Sequence, residues 1–403
     1  EHELARFYVE RVRGGAGLIV TGGISPNPEG AARRGGAHLS REDQLGPHRT
    51  VTDAVHGEGG LIALQLMHSG RYAMHEDAVA PSAIRAPINK VTPRELSTAE
   101  VESTVEDFAN AAHLAQRAGY DGVEIMGSEG YLINEFLVAH TNERTDRYGG
   151  SDAARRRFAT EIVRRVREAT GPDFLIMYRL SALDLVPDAQ QFAQVLELGR
   201  EIEAAGASII NTGIGWHEAR IPTIATSVPP AGFTWVSRAL REHLSLPVAA
   251  VNRINTPEIG EAVIERGDAD LVCLARPFLA DPQFVAKARA QRPAEINTCI
   301  ACNQACLDHV FTGEPVSCLM NPRAGRETDP RYAVPVPVEI GTAPHATLAE
   351  KLGASPVSLE YVEAYEALQR NTIDCDLGQL IPAAESGMFD VAKHIAYPTE
   401  HSF

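Results

Sequence analysis

Phe174-Leu-Ile-Met-Tyr-Arg-Leu180 is a short apolar run, rich in strand-forming residues and carrying an arginine near its end. Six further runs of the same kind recur along the chain. They are Gly17-Leu-Ile-Val-Thr-Gly-Gly23, Leu61-Ile-Ala-Leu-Gln-Leu-Met-His68, Asp121-Gly-Val-Glu-Ile-Met-Gly127, Ser208-Ile-Ile-Asn-Thr-Gly213, Pro247-Val-Ala-Ala-Val-Asn-Arg253 and Leu271-Val-Cys-Leu-Ala-Arg-Pro277. Between them lie amphipathic stretches of helical period, such as 99–118, 154–169 and 192–205, closed by Gly119, Gly171 and Gly206 as C-terminal caps. Strand and helix in strict alternation predict βα units on a parallel sheet. Seven strands preceded by a helix are best explained by an α/β fold, a (β/α)8 TIM barrel lacking its first strand. A doubly wound sheet is the alternative, but no Gly-x-Gly-x-x-Gly follows any strand. Thr21, Gln65, His68, Glu124, Arg179, Asn211, Asn252, Arg253 and Arg276 all sit at C-terminal strand ends, the rim where a barrel keeps its chemistry.

The 403 residues are 44% hydrophobic and 22% charged, an ordinary globular composition. The formal charge of −16 argues against nucleic acid or an anionic membrane as main partner. No run approaches the ~18 apolar residues of a membrane span. The opening Glu1-His-Glu-Leu-Ala-Arg-Phe-Tyr is not a signal peptide; it reads as a helix entered midway, so the chain is expected to begin inside a domain. Two long loops, 70–97 and 127–151, are expected to cover the rim. After residue 328 the character changes. A Pro-, Ala- and Val-rich linker is expected at 329–352 and a small, helix-containing acidic tail at 353–403.

Four of the six cysteines lie within twenty positions, in Asn297-Thr-Cys299-Ile-Ala-Cys302-Asn-Gln-Ala-Cys306 and at Cys318. The order C-x2-C-x3-C-x11-C contains no histidine, and thiolate-only ligation suits zinc or an iron–sulfur cluster. A zinc knuckle pairs two C-x-x-C units, and here the second is broken. The pattern therefore favours a [4Fe-4S] cluster over zinc, with a disulfide pair behind both. It also suits a reducing cytoplasm. The barrel is expected over 1–290 and the cluster segment over 291–328. Cys273 reads as core, and Cys375 has no visible partner.

Met126-Gly-Ser-Glu-Gly-Tyr131-Leu-Ile-Asn-Glu-Phe136, Asn211-Thr-Gly-Ile-Gly-Trp216-His217-Glu-Ala-Arg220 and the cysteine motif with Asn321-Pro-Arg323 closely resemble the bacterial 2,4-dienoyl-CoA reductases of the Old Yellow Enzyme superfamily. The likeness runs to about residue 328. It implies an FMN barrel with a [4Fe-4S] cluster beside it, followed by FAD and NADPH domains, and an enoyl or dienoyl-CoA thioester as substrate. By position, Tyr131 matches the proton donor and His217 its partner. Gln65 and Arg179 match flavin-ring contacts, Gly23 lines the same pocket, and Arg253, Ala275 and Arg276 match the phosphate end. Cys299, Cys302, Cys306 and Cys318 match the cluster ligands.

The chemistry agrees with these roles. A phenol is protonated at neutral pH, and a neighbouring imidazolium would sharpen it as a donor. The Gln65 amide offers both a donor and an acceptor to a flavin's pyrimidine edge, and an arginine offsets charge building there. Each residue alone has a plainer reading: Tyr131 as a packed loop aromatic, His217 as a structural histidine, Arg179 and Arg253 as partners of nearby carboxylates, Gln65 as a backbone-bonded amide. Two departures from the family are noted. The opening strand is absent, and residues 331–403 carry no Gly-rich FAD-binding turn. Instead 353–374 weakly resembles a TRAP-type periplasmic solute-binding protein, which makes a chimeric or inactive product a further alternative.

Overall fold

A computed structural model describes residues 1–309 and 313–332. Seven strands form one all-parallel sheet: β1 (Ile19–Val20), β2 (Ile62–Leu66), β5 (Gly122–Gly127), β6 (Leu175–Leu183), β7 (Ile209–Ile214), β8 (Val248–Ala250) and β9 (Leu271–Val272). β3 (Val79–Ala80) and β4 (Arg94–Glu95) make a separate two-stranded ribbon in the first long loop. Along the main sheet each strand pairs with the next in sequence, and the order never reverses. A doubly wound sheet requires such a reversal, so the winding is that of a TIM barrel.

Local chemistry explains the elements. α3 (Thr98–Arg117) opens with a capping box, in which the Ser97 hydroxyl accepts from the Glu100 N–H and Glu100 reaches back to the Ser97 N–H. Its buried Val101, Val105, Phe108, Ala112 and Ala115 form one stripe at helical spacing. α5 (Asp152–Thr170) and α6 (Phe192–Ala204) follow the same logic. Gly119, Gly171 and Gly206 sit at φ +91°, +81° and +106°, the left-handed conformation expected of C-terminal caps. β5 is buried at all six positions, because one face meets the barrel interior and the other the helices. The strand runs read from sequence all contain strands. Those around Ile19, Val248 and Leu271 shrink to two or three paired residues, and β6 extends three residues beyond Leu180. Apolar composition marks where a strand sits, whereas hydrogen-bond register decides where it stops.

The remaining helices are α1 (His2–Arg13), α2 (Leu45–Gly57), α4 (Leu132–Leu137), α7 (Thr234–Arg241), α8 (Pro257–Glu265), α9 (Arg276–Ala280) and α10 (Phe284–Arg289). The two long loops interlock over the rim. Arg144, from the second, donates to the carbonyls of Pro81 and Leu96 in the first and pairs with Asp146. Glu1–Glu327 forms one compact unit. Of the linker expected at 329–352, only residues 329–332 are described, ending in the turn Pro330–Tyr332. The solute-binding resemblance and the tail at 353–403 lie outside the described residues, as does Cys375.

The cysteine segment is tied back to α1 by two ion pairs. Arg323 donates through both terminal nitrogens to Glu10, at 2.5 and 2.6 Å, and Arg11 reaches Glu327 at 2.7 Å. Burial works against the Glu10 carboxylate, yet Arg323 and Arg6 outweigh it and hold the pKa below the ordinary 4.5. A depressed carboxyl stabilises the fold above its unfolded pKa and loses that contribution as pH falls through the folded value. Glu10→Gln is therefore expected to cost about 1–3 kcal/mol at pH 7, and almost nothing once the carboxyl is protonated in both states. Urea unfolding of both proteins at the two pH values measures the difference.

Candidate active site

The floor of the site is laid by strand register. Gln65 stands beside Glu124 across β2 and β5, and Arg179 beside Asn211 across β6 and β7. Glu124, fully buried, accepts from Gln65 Nε2 and from Asn211 Nδ2, each at 2.6 Å. Buried charge needs such donors to be tolerated. Asn211 Nδ2 also lies 3.6 Å from Cys273 Sγ, so Cys273 belongs to the site floor and not, as the sequence suggested, to the apolar core alone. Its thiol pKa is pushed up, chiefly by burial.

Arg179 does pair with a carboxylate. Its Nε and Nη2 donate to one oxygen of Glu129 at 3.0 and 2.7 Å. Burial works against the guanidinium charge, but Glu129, Glu124 and Cys273 more than offset it and raise the pKa. Glu129 lies two residues before Tyr131, so the pair places the tyrosine loop over the floor.

Tyr131 and His217 come from different loops and meet. His217 Nε2 is 2.8 Å from the Tyr131 hydroxyl, with the rings edge to face at 5.1 Å. Burial, then the Glu129 charge, raises the phenol's pKa above its ordinary value. His217 is exposed at the mouth, yet burial of its inner side pushes its pKa down against the pull of Glu129. On that inner side burial disfavours an imidazolium and favours the neutral imidazole beside the phenol. One buried carboxylate orders both loops. Asp184, just past β6, accepts from Ser181 Oγ at 2.7 Å, Asn134 Nδ2 at 3.0 Å and Trp216 Nε1 at 2.8 Å. Asn134 in turn accepts from the Gly130 N–H, next to Tyr131.

The remaining expected residues spread around the rim. Gly23 follows β1, where a Cβ would meet the Met67 side chain at 2.7 Å; only glycine fits unless that side chain moves. Asn252 and Arg253, at the end of β8, take φ of +68° and +57° in succession. Two adjacent non-glycine residues in that conformation are a strained feature of the sort functional sites retain. The Arg253 Nε donates to the Val228 carbonyl at 2.8 Å rather than to a carboxylate. Ala275 caps α9, and Arg276 Nη1 donates to Asn303 Oδ1 at 2.6 Å, which turns it towards the cysteine segment.

Cys299, Cys302, Cys306 and Cys318 all line one small pocket with Arg276, and none is in a disulfide. The segment is bolted to the barrel: Asn255 Nδ2 donates to the Cys299 carbonyl and Thr226 Oγ1 to that of Ile300 at 2.7 Å. Ala301 and Asn303, either side of Cys302, take φ of +58° and +64°, and 304–308 form a π-helical turn. Among the described residues, no three His, Cys, Asp or Glu side chains are arranged to hold a single metal ion. A tetrahedral zinc would draw its thiolates to ~3.8 Å of one another, from Zn–S bonds of about 2.3 Å.

The floor fits a flavin. Asn211 Oδ1 is a buried acceptor without a donor, close to the Gln65 amide and the Arg179 guanidinium. A flavin's pyrimidine edge carries an N–H between two carbonyls, which suits an acceptor, an amide and a cation together. Sequence reasoning gave no role to Glu129, Tyr72 or Glu218, all near the Tyr131–His217 pair. The signal was present: a glutamate two residues before the tyrosine, and another directly after the histidine.

Residues 1–295 match the NADH:flavin oxidoreductase / NADH oxidase family. The chain is 43% identical over 331 residues to a metal reductase of Desulforamulus reducens, covering 81% of this chain and 49% of that protein. It is 31% identical to a cinnamate reductase of Clostridium sporogenes, covering 80% of this chain and 52% of that one. In structure it resembles a 2-naphthoyl-CoA reductase solved with 2-naphthoyl-CoA, with a TM-score of 0.81 and 30% identity over 85% of this chain and 56% of the other. It thus spans about half the length of each of these three. No helix among the described residues is long and apolar enough to cross a membrane. The chain belongs to the NADH:flavin oxidoreductase / NADH oxidase family of FMN-dependent oxidoreductases, with the barrel of the Old Yellow Enzymes.

Proposed function

We propose that this protein reduces a conjugated C=C bond of an enoyl or 2,4-dienoyl-CoA thioester, with Tyr131 as proton donor. The observation that carries the reading is the Tyr131–His217 pair, 2.8 Å apart at the mouth of the flavin-binding floor. FMN, when bound, supplies hydride to the substrate. Gln65, Arg179 and Asn211 would hold its ring, with Gly23 in the same pocket and Arg253, Ala275 and Arg276 at its phosphate. The proton then has to come from the chain. A phenol with raised pKa is fully protonated across the neutral range, and His217 fixes the direction of its hydroxyl. The Arg179 charge lies where negative charge gathers as the reaction proceeds. The names of the cinnamate and 2-naphthoyl-CoA reductases support a conjugated substrate, the latter a CoA thioester.

The cysteine pocket is read as the seat of a [4Fe-4S] cluster feeding electrons to the flavin. Four free thiols lining one pocket, in a histidine-free C-x2-C-x3-C-x11-C order, support that reading. FAD and NADPH, implied further upstream by the resemblance, are assigned no residues here. The barrel over 1–290, the cluster segment over 291–328 and a cytoplasmic location belong to the same proposal. A second reading comes from the likeness to the metal reductase: single electrons passed to an oxidised metal ion as substrate. That activity needs no proton donor.

Tyr131→Phe separates the two. It is expected to slow reoxidation of the reduced flavin by a dienoyl-CoA at least 100-fold, while flavin reduction by dithionite and reduction of ferric citrate stay within twofold. Equal loss in all three steps would make Tyr131 structural. Anaerobically purified protein is expected to hold about four irons per chain and to be yellow-brown. Cys302→Ser should lose the iron and keep the flavin; a colourless, zinc-containing preparation would sink the relay.

A further inference from the structure

Tyr72 stands between the two members of the donor pair. Its ring lies edge to face against Tyr131 at 6.0 Å between centroids and against His217 at 5.6 Å. Its hydroxyl is drawn away from the mouth, donating to Glu218 Oε2 at 3.0 Å. The other Glu218 oxygen accepts from Arg71 Nη2 at 2.7 Å, and the two side chains are only 8% and 2% exposed. The Arg71 guanidinium also lies over Trp216, 5.5 Å from the ring centroid. Gly130, at φ +85°, completes the packing: a Cβ there would meet the Tyr72 hydroxyl at 2.5 Å and Trp216 at 2.8 Å. Three loops, following β2, β5 and β7, thus close on one aromatic ring.

The geometry points to Tyr72 as a positioning residue for proton delivery, holding Tyr131 and His217 in register through its ring and held in turn by Glu218 and Arg71. This rests on the reading of Tyr131 as proton donor. The Tyr131–His217 hydrogen bond fixes one distance, but both rings sit on loops and could swing together about their Cα–Cβ bonds. A third ring against both removes that motion. Aromatic contacts of this kind contribute about 0.5–1.5 kcal/mol each, and a 1 Å misplacement of a reacting group costs on the order of 10²-fold in rate. The buried Glu218–Arg71 pair keeps Tyr72 from turning into the mouth. The Tyr72 hydroxyl is itself no rival donor, since burial and the Glu218 charge raise its pKa and Glu218 occupies its proton.

A double-mutant cycle on the FMN-loaded full chain tests this. Each protein is reduced with dithionite and mixed with 2,4-hexadienoyl-CoA in a stopped-flow instrument. Tyr72→Leu is expected to slow reoxidation about 10–100-fold, with dithionite reduction unchanged. In a Tyr131→Phe background the same change is expected to cost less than twofold. Tyr72→Phe, which keeps the ring and frees Glu218, should show a smaller loss that also vanishes in that background. It serves if the leucine variant does not fold. In the flavin-free chain the His217 ring resonances should shift in Tyr72→Leu, without any turnover. Equal losses in both backgrounds, a parallel fall in dithionite reduction, no loss at all, or unmoved His217 resonances would each overturn the assignment. If Tyr131→Phe alone leaves reoxidation unchanged, the donor reading fails, and the role of Tyr72 falls with it.

Discussion

Asp184 is buried to 2% exposure at the end of β6, and the placement of the reactive groups depends on it. Its carboxylate takes up donors from Ser181, Asn134, Trp216 and both the backbone and side chain of Gln190. A carboxylate this deep is tolerable only with such a full set of partners. Two of those partners, Asn134 and Trp216, belong to the segments that carry Tyr131 and His217. The desolvation that would make an unpaired carboxylate costly therefore serves to fix two loops that share no element of secondary structure. Barrel strands supply a rigid frame, and one buried charge converts the frame into a site.

The same principle recurs at two further places. Glu124 organises the floor, drawing Gln65 and Asn211 to its two oxygens and leaving the Asn211 carbonyl free as an acceptor. Glu218 organises the wall, drawing Arg71 and Tyr72 together. An arginine compensates the charge at the wall and above the floor, where Arg179 pairs with Glu129. The outcome is a mouth in which the groups that would carry and give protons, Tyr131 and His217, are both neutral, while the fixed charges lie around them. Burial disfavours a cationic imidazole and outweighs the opposing pull of the Glu129 and Glu218 carboxylates.

The fold was largely legible because βα alternation has a period visible in composition alone. Helix ends were placed well where Gly119, Gly171 and Gly206 supply a conformation other residues avoid. Strand ends were not, since Val20, Ala250 and Val272 stop pairing for reasons of register that no local signal encodes. Within the site, Tyr131 and His217 were found through motif resemblance, and the structure brings them together. The phenol was expected protonated, as its raised pKa agrees, whereas the burial that disfavours an imidazolium at His217 has no signal in the local sequence. Glu129 and Glu218 were passed over despite flanking Tyr131 and His217, because a loop glutamate is ordinarily a solvated charge, and Tyr72 lies far from both in sequence. Cys273 was read as core because its run is apolar; only Asn211, two strands away on β7, reveals it as part of the floor.

The central claim is that proton delivery comes from a neutral phenol steadied by a neutral imidazole. The pH dependence of the acceptor-reduction step, measured by stopped-flow with pre-reduced protein, tests it most directly. Since burial lowers the His217 pKa and raises that of Tyr131, the rate should show no inflection at the ordinary imidazole value near 6.5 or on approaching the ordinary phenol value near 10. A fall in rate with an inflection at about pH 6.5, as the imidazolium loses its proton, would contradict the account.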